Sequence, residues 1–152
     1  MAVYNKVGLI DKDAIFKKVV DRSITKLDEI DFGDIIDIGW GAFSYCTNLT
    51  KITIPNDIKY ISQYAFYNCT GLTSIILSEN IEEVGFYAFA NCTSLASVTV
   101  LAINPPDAGT ILYNTPIANG IGYIYVPVNS VDAYKNALGW RNYASQIRAI
   151  QE

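Results

Sequence analysis

The sequence predicts an α/β repeat protein, a solenoid of stacked parallel strands with a helical cap at each end, and three observations carry that expectation. Residues 65–75 read AFYNCTGLTSI and residues 88–98 read AFANCTSLASV, the same phrase 23 positions later. Within each row the apolar residues alternate over a few positions and then break at a turn, as short half-buried strands do. The 152-residue chain is 51% hydrophobic and 17% charged, apolar enough to build one continuous core in a single domain, 1–152.

The elements follow in chain order. Asp11 to Arg22 carries Ile15, Phe16, Val19 and Val20, an apolar stripe at helical spacing after an acidic start, which predicts a capping helix within residues 1–23. The repeat occupies 24–127. Leu27, Ile30 and Phe32, then Ile35 and Ile38, form a first half-coil. Rows of 23 then align Ala42-Phe43, Ala65-Phe66 and Ala88-Phe89, next Cys46, Cys69 and Cys92, and next Leu49, Leu72 and Leu95. Ile52, Ile75 and Val98 share a column, as do Ile54, Leu77 and Val100. In Leu49-x-x-Ile52-x-Ile54 the alternation sends Ile52 and Ile54 inward and Lys51 and Thr53 outward on a strand that Pro55 stops. A second short extended piece follows around Ile58 to Ile61, and Tyr64 to Asn68 turns the corner.

The period continues with changes. Ile111 to Thr115 falls 23 positions after Ala88 to Cys92, with Thr115 in the cysteine's place, and Ile124-Tyr125-Val126-Pro127 comes 26 positions after its counterpart. Three residues are therefore inserted near Pro116 to Gly122. A period of about 20–29 residues with spaced leucine and isoleucine is the leucine-rich-repeat signature, so the expected fold is a right-handed leucine-rich-repeat solenoid of about four to five coils. Solenoids need caps at their apolar ends. Residues 128–152 supply C-terminal capping helices in this reading: Ser130 as N-cap, Val131, Tyr134 and Leu138 on one face, then Tyr143, Ile147 and Ile150 at helical spacing.

The coil over residues 42–101, with its L-x-x-I-x-I-P, A-F and spaced cysteine, resembles the BspA-like bacterial leucine-rich repeats. The tail is similar too, through Asn104-Pro105-Pro106, Ile124 to Pro127, Ser130 to Lys135, Trp140 and Tyr143. The resemblance spans roughly residues 24–150. It implies a secreted or bacterial cell-surface protein that binds proteins, matrix or other cells, with no catalytic motif to carry over. The opening MAVYNKV resembles the start of phage-tail-associated proteins with the same repeats, which makes a tail-associated origin the alternative.

Composition narrows the chemistry. Histidine is absent and the net charge is −4, which removes the usual general base and gives no basic field for nucleic acid. No apolar run approaches the ~20 residues of a membrane helix, and the N-terminus lacks the apolar core of a secretory signal. The expectation is a non-enzymatic protein that takes no cofactor or metal and does not insert in a membrane. Three cysteines without a Cys-x-x-Cys spacing suit structural thiols. Stacked coils would bring them within disulfide reach, yet cysteine packs readily as a small hydrophobe, and Thr115 in the fourth place points to size rather than sulfur. Phe43, Phe66, Phe89, Cys46, Cys69 and Cys92 are thus expected as an interior ladder. Asn48, Asn68 and Asn91 each open an N-x-[ST] sequon, but Asn68 and Asn91 recur because a corner needs a residue that bonds its own backbone and tolerates a tight turn, which argues against glycosylation. Asp28, Glu29, Asp31, Asp34 and Asp37, and likewise Glu79, Glu82 and Glu83, read as solvated faces, with contact to a cation such as calcium or to a basic partner as the alternative and catalysis last.

Function is expected on the exposed face of the main sheet, where each coil presents one side chain per outward position. The columns are Glu29, Lys51, Ser74, Ser97 and Tyr123, and Asp31, Thr53, Ile76, Thr99 and Tyr125. Two readings fit the tyrosines: contact residues for a protein or glycan ligand, or cover over the junction with the C-terminal helices. A binding module is the leading expectation, and a structural or adhesive spacer of a cell-surface or phage-tail assembly is its rival.

Overall fold

A computed structural model describes Thr25 and residues 36–152. The expected N-terminal helix, the half-coil from Leu27 to Ile35, and Glu29 and Asp31 on the proposed face lie outside the described residues. Within them the chain forms nine short strands: β1 (Asp37–Ile38), β2 (Lys51–Thr53), β3 (Tyr60–Ile61), β4 (Ser74–Leu77), β5 (Glu83–Val84), β6 (Ser97–Val100), β7 (Asp107–Ala108), β8 (Tyr123–Val126) and β9 (Ile147–Ala149). They assemble into two parallel sheets, one in the order β1-β3-β5-β7 and the other β2-β4-β6-β8-β9. Each row of the sequence therefore feeds one strand to each sheet.

The register reproduces the row alignment. Ile52, Ile75 and Val98 pair in line, and Val98 pairs with Ile124, 26 positions on. The inserted residues are accommodated before β8, and the ladder does not slip. Inward positions Ile52, Ile54, Ile75, Leu77, Val98, Val100, Ile124 and Val126 are all buried. Burying each such side chain contributes about 1.5–3 kcal/mol, which explains why register is so strongly specified.

The corners between the short and long strands form a third stack with its own backbone ladder. Phe43 N–H donates to Ala65 O at 2.7 Å, Phe66 N–H to Ala88 O at 2.8 Å and Phe89 N–H to Ile111 O at 3.0 Å. Within a corner, i to i+3 bonds such as Ala65 N–H to Ser62 O tighten the turn. The phenylalanines point inward and stack, Phe43 on Phe66 at 5.2 Å and Phe66 on Phe89 at 5.4 Å between ring centroids. Just beneath them the thiols of Cys69 and Cys92 donate to the carbonyls of Phe43 and Phe66, at 3.1 and 3.2 Å. Cys46, Cys69 and Cys92 are all buried as thiols, not disulfides. Hydrogen bonding with the Cys92 thiol, together with burial, pushes the Cys69 thiol well above its ordinary range. Thr115 is equally buried but turns its hydroxyl to Leu112 O at 2.8 Å, within its own row.

The C-terminal segment departs from the expected pair of helices. A 3₁₀ turn at Val128–Ser130 leads into a single six-residue helix, α1 (Val131–Asn136), then a second 3₁₀ segment at Arg141–Gln146 and strand β9. Ser130 stands at the N-cap position, yet its hydroxyl donates to Ile103 O at 2.7 Å and makes no cap bond. Leu138 lies beyond the helix and is exposed. Residues 147–150 are extended because β8 offers an open sheet edge: Ile124 pairs with Ile147 and Val126 with Ala149, and Ile150 N–H reaches Val126 O. An unpaired edge demands hydrogen-bond partners, and this outweighs the helical spacing of Tyr143, Ile147 and Ile150.

The tail also finishes a backbone column. Ile36 O, Lys59 O and Glu82 O each accept an N–H from the following row, and Pro106 O, at the same register in the last row, accepts the indole N–H of Trp140 at 2.7 Å. One buried side chain thus takes the place of a missing row. Gly139 makes that placement possible: its φ is +84°, and a Cβ there would collide with Ala108 O.

Candidate functional site

On the five-stranded sheet the outward residues fall into the two expected columns. Lys51, Ser74, Ser97 and Tyr123 are register partners in one, and Thr53, Ile76, Thr99 and Tyr125 in the other. The second column gains a member the sequence did not suggest, Arg148 on β9, which pairs with Tyr125. Its guanidinium carbon lies 4.9 Å from the Tyr123 ring centroid, a cation–π arrangement. The same guanidinium donates to Ser145 O at 2.8 Å and Ile147 O at 3.0 Å, which holds it in place over the ring. Tyr123 and Tyr125 tilt toward each other at 6.2 Å. Together with Arg148, Ala149 and Gln151 they line a shallow cleft of about 240 Å³. The two tyrosines are not hidden under a helix; a strand lies beside them and leaves Tyr123 42% exposed.

The two sheets differ in charge. Among the described residues, the columns on the five-stranded sheet carry Lys51 and Arg148 and no carboxylate. Across the other sheet Asp37, Tyr60, Glu83 and Asp107 stand in one register column. Asp37 therefore belongs to the acidic sheet, where it accepts a bond from Ser62 Oγ at 3.1 Å. Beside that column Glu82 bridges Lys59 at 3.1 Å and the Tyr60 hydroxyl at 3.0 Å. Those two hydrogen bonds, from Lys59 and then Tyr60, hold the Glu82 carboxyl below its usual range. A broader open pocket of about 600 Å³ adjoins this trio, walled by Glu79, Asn80, Ile103, Pro105 and Asp107 among others. No group of these or other described carboxylates and thiols is arranged to hold a metal ion.

The corner side carries a third surface that the reading of the main sheet overlooked. Trp40, Tyr45, Phe86, Tyr87 and Tyr113 are exposed there. Their rings run from row to row, Trp40 edge-on to Tyr64 at 5.6 Å and Tyr64 stacked on Tyr87 at 5.6 Å, with Tyr113 edge-on to Tyr87 at 6.2 Å. Two positions in each of the first three corners, and one in the fourth, are left-handed. Gly41, Tyr64 and Tyr87 fill one column of positive φ, and Tyr45, Asn68, Asn91 and Asn114 the other. Asparagine tolerates this region and glycine is free of its cost, but a bulky side chain loses about 1 kcal/mol or more there. Two of these asparagines bond across rows: Asn91 Nδ2 donates to the Tyr67 hydroxyl and Asn114 Nδ2 to Asn91 Oδ1, at 2.9 and 3.0 Å. The sequence signal was available, because residues 38–49, 61–72, 84–95 and 108–119 contain no Asp, Glu, Lys or Arg.

Among the described residues no helix is long and apolar enough to cross a membrane. No curated protein matches the chain. The family described as BspA type leucine rich repeat region (6 copies) matches residues 17–105. That span is more than half of the sequence and ends where the rows begin to depart from the period. With two parallel sheets fed row by row, the chain belongs to the BspA-type leucine-rich-repeat family.

Proposed function

We propose that the chain is a non-enzymatic binding module that holds a partner protein against the outward face of the five-stranded sheet. The observation that carries this reading is the junction of β8 and β9, where Tyr123, Tyr125 and Arg148 converge on one cleft beside a flat field of Ser, Thr and Ile side chains. Rigid tyrosines and an arginine with its geometry fixed are the residue types that dominate protein interfaces. The small side chains of Ser74, Ser97 and Thr99 let a partner approach the sheet closely. Glu29 and Asp31 would extend the face at its other end. The frame we infer is one domain, a right-handed solenoid of about four to five coils capped at both ends. Secretion or cell-surface display, with binding to matrix proteins or other cells, fits the family.

The test is a binding panel of immobilised extracellular-matrix proteins measured with the purified chain. Tyr125→Ala and Arg148→Ala should each weaken binding about 30-fold, the effect of a hot-spot residue near 2 kcal/mol. Unchanged affinity in both variants, with their folds intact, would remove the sheet face as the contact surface. Assembly into a larger particle that ignores both substitutions would instead favour a spacer role.

A further inference from the structure

The aromatic corner side is physically separate from the sheet face and has a different chemistry. Three tyrosines, Tyr45, Tyr64 and Tyr87, occupy left-handed backbone positions that the same columns fill elsewhere with Gly41, Asn68, Asn91 and Asn114. The backbone has no use for tyrosine there. These side chains are kept against a conformational cost, which points to what the rings do at the surface. Around them stand Trp40, 70% exposed, Phe86, 51% exposed, and Tyr113, 59% exposed. The polar groups beside the rings include the Tyr67 hydroxyl and the amides of Asn91 and Asn114, and no charged residue occurs in any of the four corner segments.

We infer that this side binds a neutral polysaccharide. Sugar rings present C–H faces that lie against aromatic faces, and their hydroxyls pair with uncharged amides and phenols. A charged ligand would find no counter-ion on this surface, whereas a neutral one loses nothing by that. Trp40, Phe86 and Tyr113 are the most exposed of these rings, Phe86 with Gly109 packed against it, whereas Tyr64 and Tyr87 cover one another. Repetition from row to row lets a polymer meet like groups at successive rungs. A peptide partner is less well matched, because peptides commonly carry charged side chains and termini that this surface cannot pair.

Affinity electrophoresis of the purified chain tests this, in native gels containing hydroxyethyl cellulose, galactomannan, soluble starch or dextran, with polygalacturonate as the anionic control. At least one neutral polymer should retard the chain and polygalacturonate should not. The double variant Trp40→Ala with Phe86→Ala should weaken that retardation by about tenfold, and Tyr125→Ala on the sheet face should leave it unchanged. Tyr87→Asn guards against a folding artefact, since asparagine suits the left-handed backbone: its melting temperature should be equal or higher while retardation falls. The proposal is overturned if no neutral polymer retards the chain, or if retardation survives the double variant. It is equally overturned if Tyr87→Asn melts earlier, or if sedimentation shows a dimer that the double variant dissolves, which would assign the surface to a second copy. None of these outcomes depends on whether the sheet face binds protein.

Discussion

In the middle rows Phe43, Phe66 and Phe89 stack nearly parallel, at 5.2 and 5.4 Å, and present no polar atom to the interior. At the C-terminal end Tyr134 and Trp140 meet edge to face at 5.3 Å, and each sends a donor to a backbone carbonyl, of Ala102 and Pro106, both at 2.7 Å. The difference follows from what lies next in the chain. A middle row has a successor that meets its carbonyls with backbone N–H groups and, at Phe43 O and Phe66 O, with the Cys69 and Cys92 thiols, so its stacked rings need no polar tip. The last row has none, and buried carbonyls without partners cost about 1–3 kcal/mol each. The end is therefore built from aromatic residues that carry a hydrogen-bonding tip.

The largest expected effects come from emptying either interior. Trp140→Ala and Phe66→Ala should each destabilise the fold by about 3–5 kcal/mol, read from the urea midpoint. Trp140→Phe separates the two regions. It retains an aromatic ring but orphans Pro106 O, so a further loss of about 1–3 kcal/mol beyond that of the smaller ring is expected. Phe66→Leu removes no hydrogen bond and should cost no more than its change in volume. Equal losses for the two conservative changes would show that the two interiors are held in the same way.

Gly139→Ala comes next. It combines a left-handed backbone with a methyl group driven into Ala108 O, and a loss of about 2–3 kcal/mol is expected in thermal denaturation. Because Gly139 sets the approach of Trp140, the variant should also quench or shift the fluorescence of that buried indole. A wild-type spectrum would mean that the tail docks without this close approach.

The same contrast explains how much of the molecule was legible in its sequence. The rows repeat, so every inward residue from Ile52 to Val100 could be read by alignment with its neighbours, and the three-residue insertion before Ile124 was visible as a change of spacing. Lys51 to Tyr125 were placed on the sheet face for the same reason. The tail has no row to align with. Tyr143, Ile147 and Ile150 share a helical spacing, and local pattern alone could not reveal the unpaired edge of β8 that draws Ile147–Ala149 into the sheet. Arg148 was missed with it, although it completes the cleft at Tyr123. The candidate site thus lies where repetition ends, half on a row the sequence displays and half on a strand created by tertiary contact.

The interior thiols give a smaller, pH-dependent effect confined to the middle rows. The folded Cys69 thiol is held above its ordinary range, so the folded state keeps its proton where the unfolded chain, near pH 8.5, releases it. The unfolded state then binds fewer protons, and stability must fall as pH rises above about 8.5. Cys69→Ala should flatten that fall in urea titrations between neutral and alkaline pH. A thiol reagent added at pH 8 should label Cys46, Cys69 and Cys92 only as the fold opens, because all three are buried. Rapid labelling of Cys69 in the native protein would contradict its packing between rows.

The smallest effect belongs to the exposed link between rows formed by Lys59, Tyr60 and Glu82. Hydrogen bonds from Lys59 and Tyr60 lower the carboxyl of Glu82 in the fold. Its contribution is therefore present above the ordinary glutamate pKa, about 4.3, and is lost as pH falls through the lower folded value. An NMR titration of the Glu82 side-chain carbonyl should show a midpoint below that ordinary value, and Lys59→Met should move it upward. The pair stands in water, so Glu82→Gln should scarcely change the urea midpoint at pH 7. A substantial loss in Glu82→Gln would show that the middle rows, like the C-terminal end, depend on side-chain polar bonds, and the division between the two regions would no longer hold.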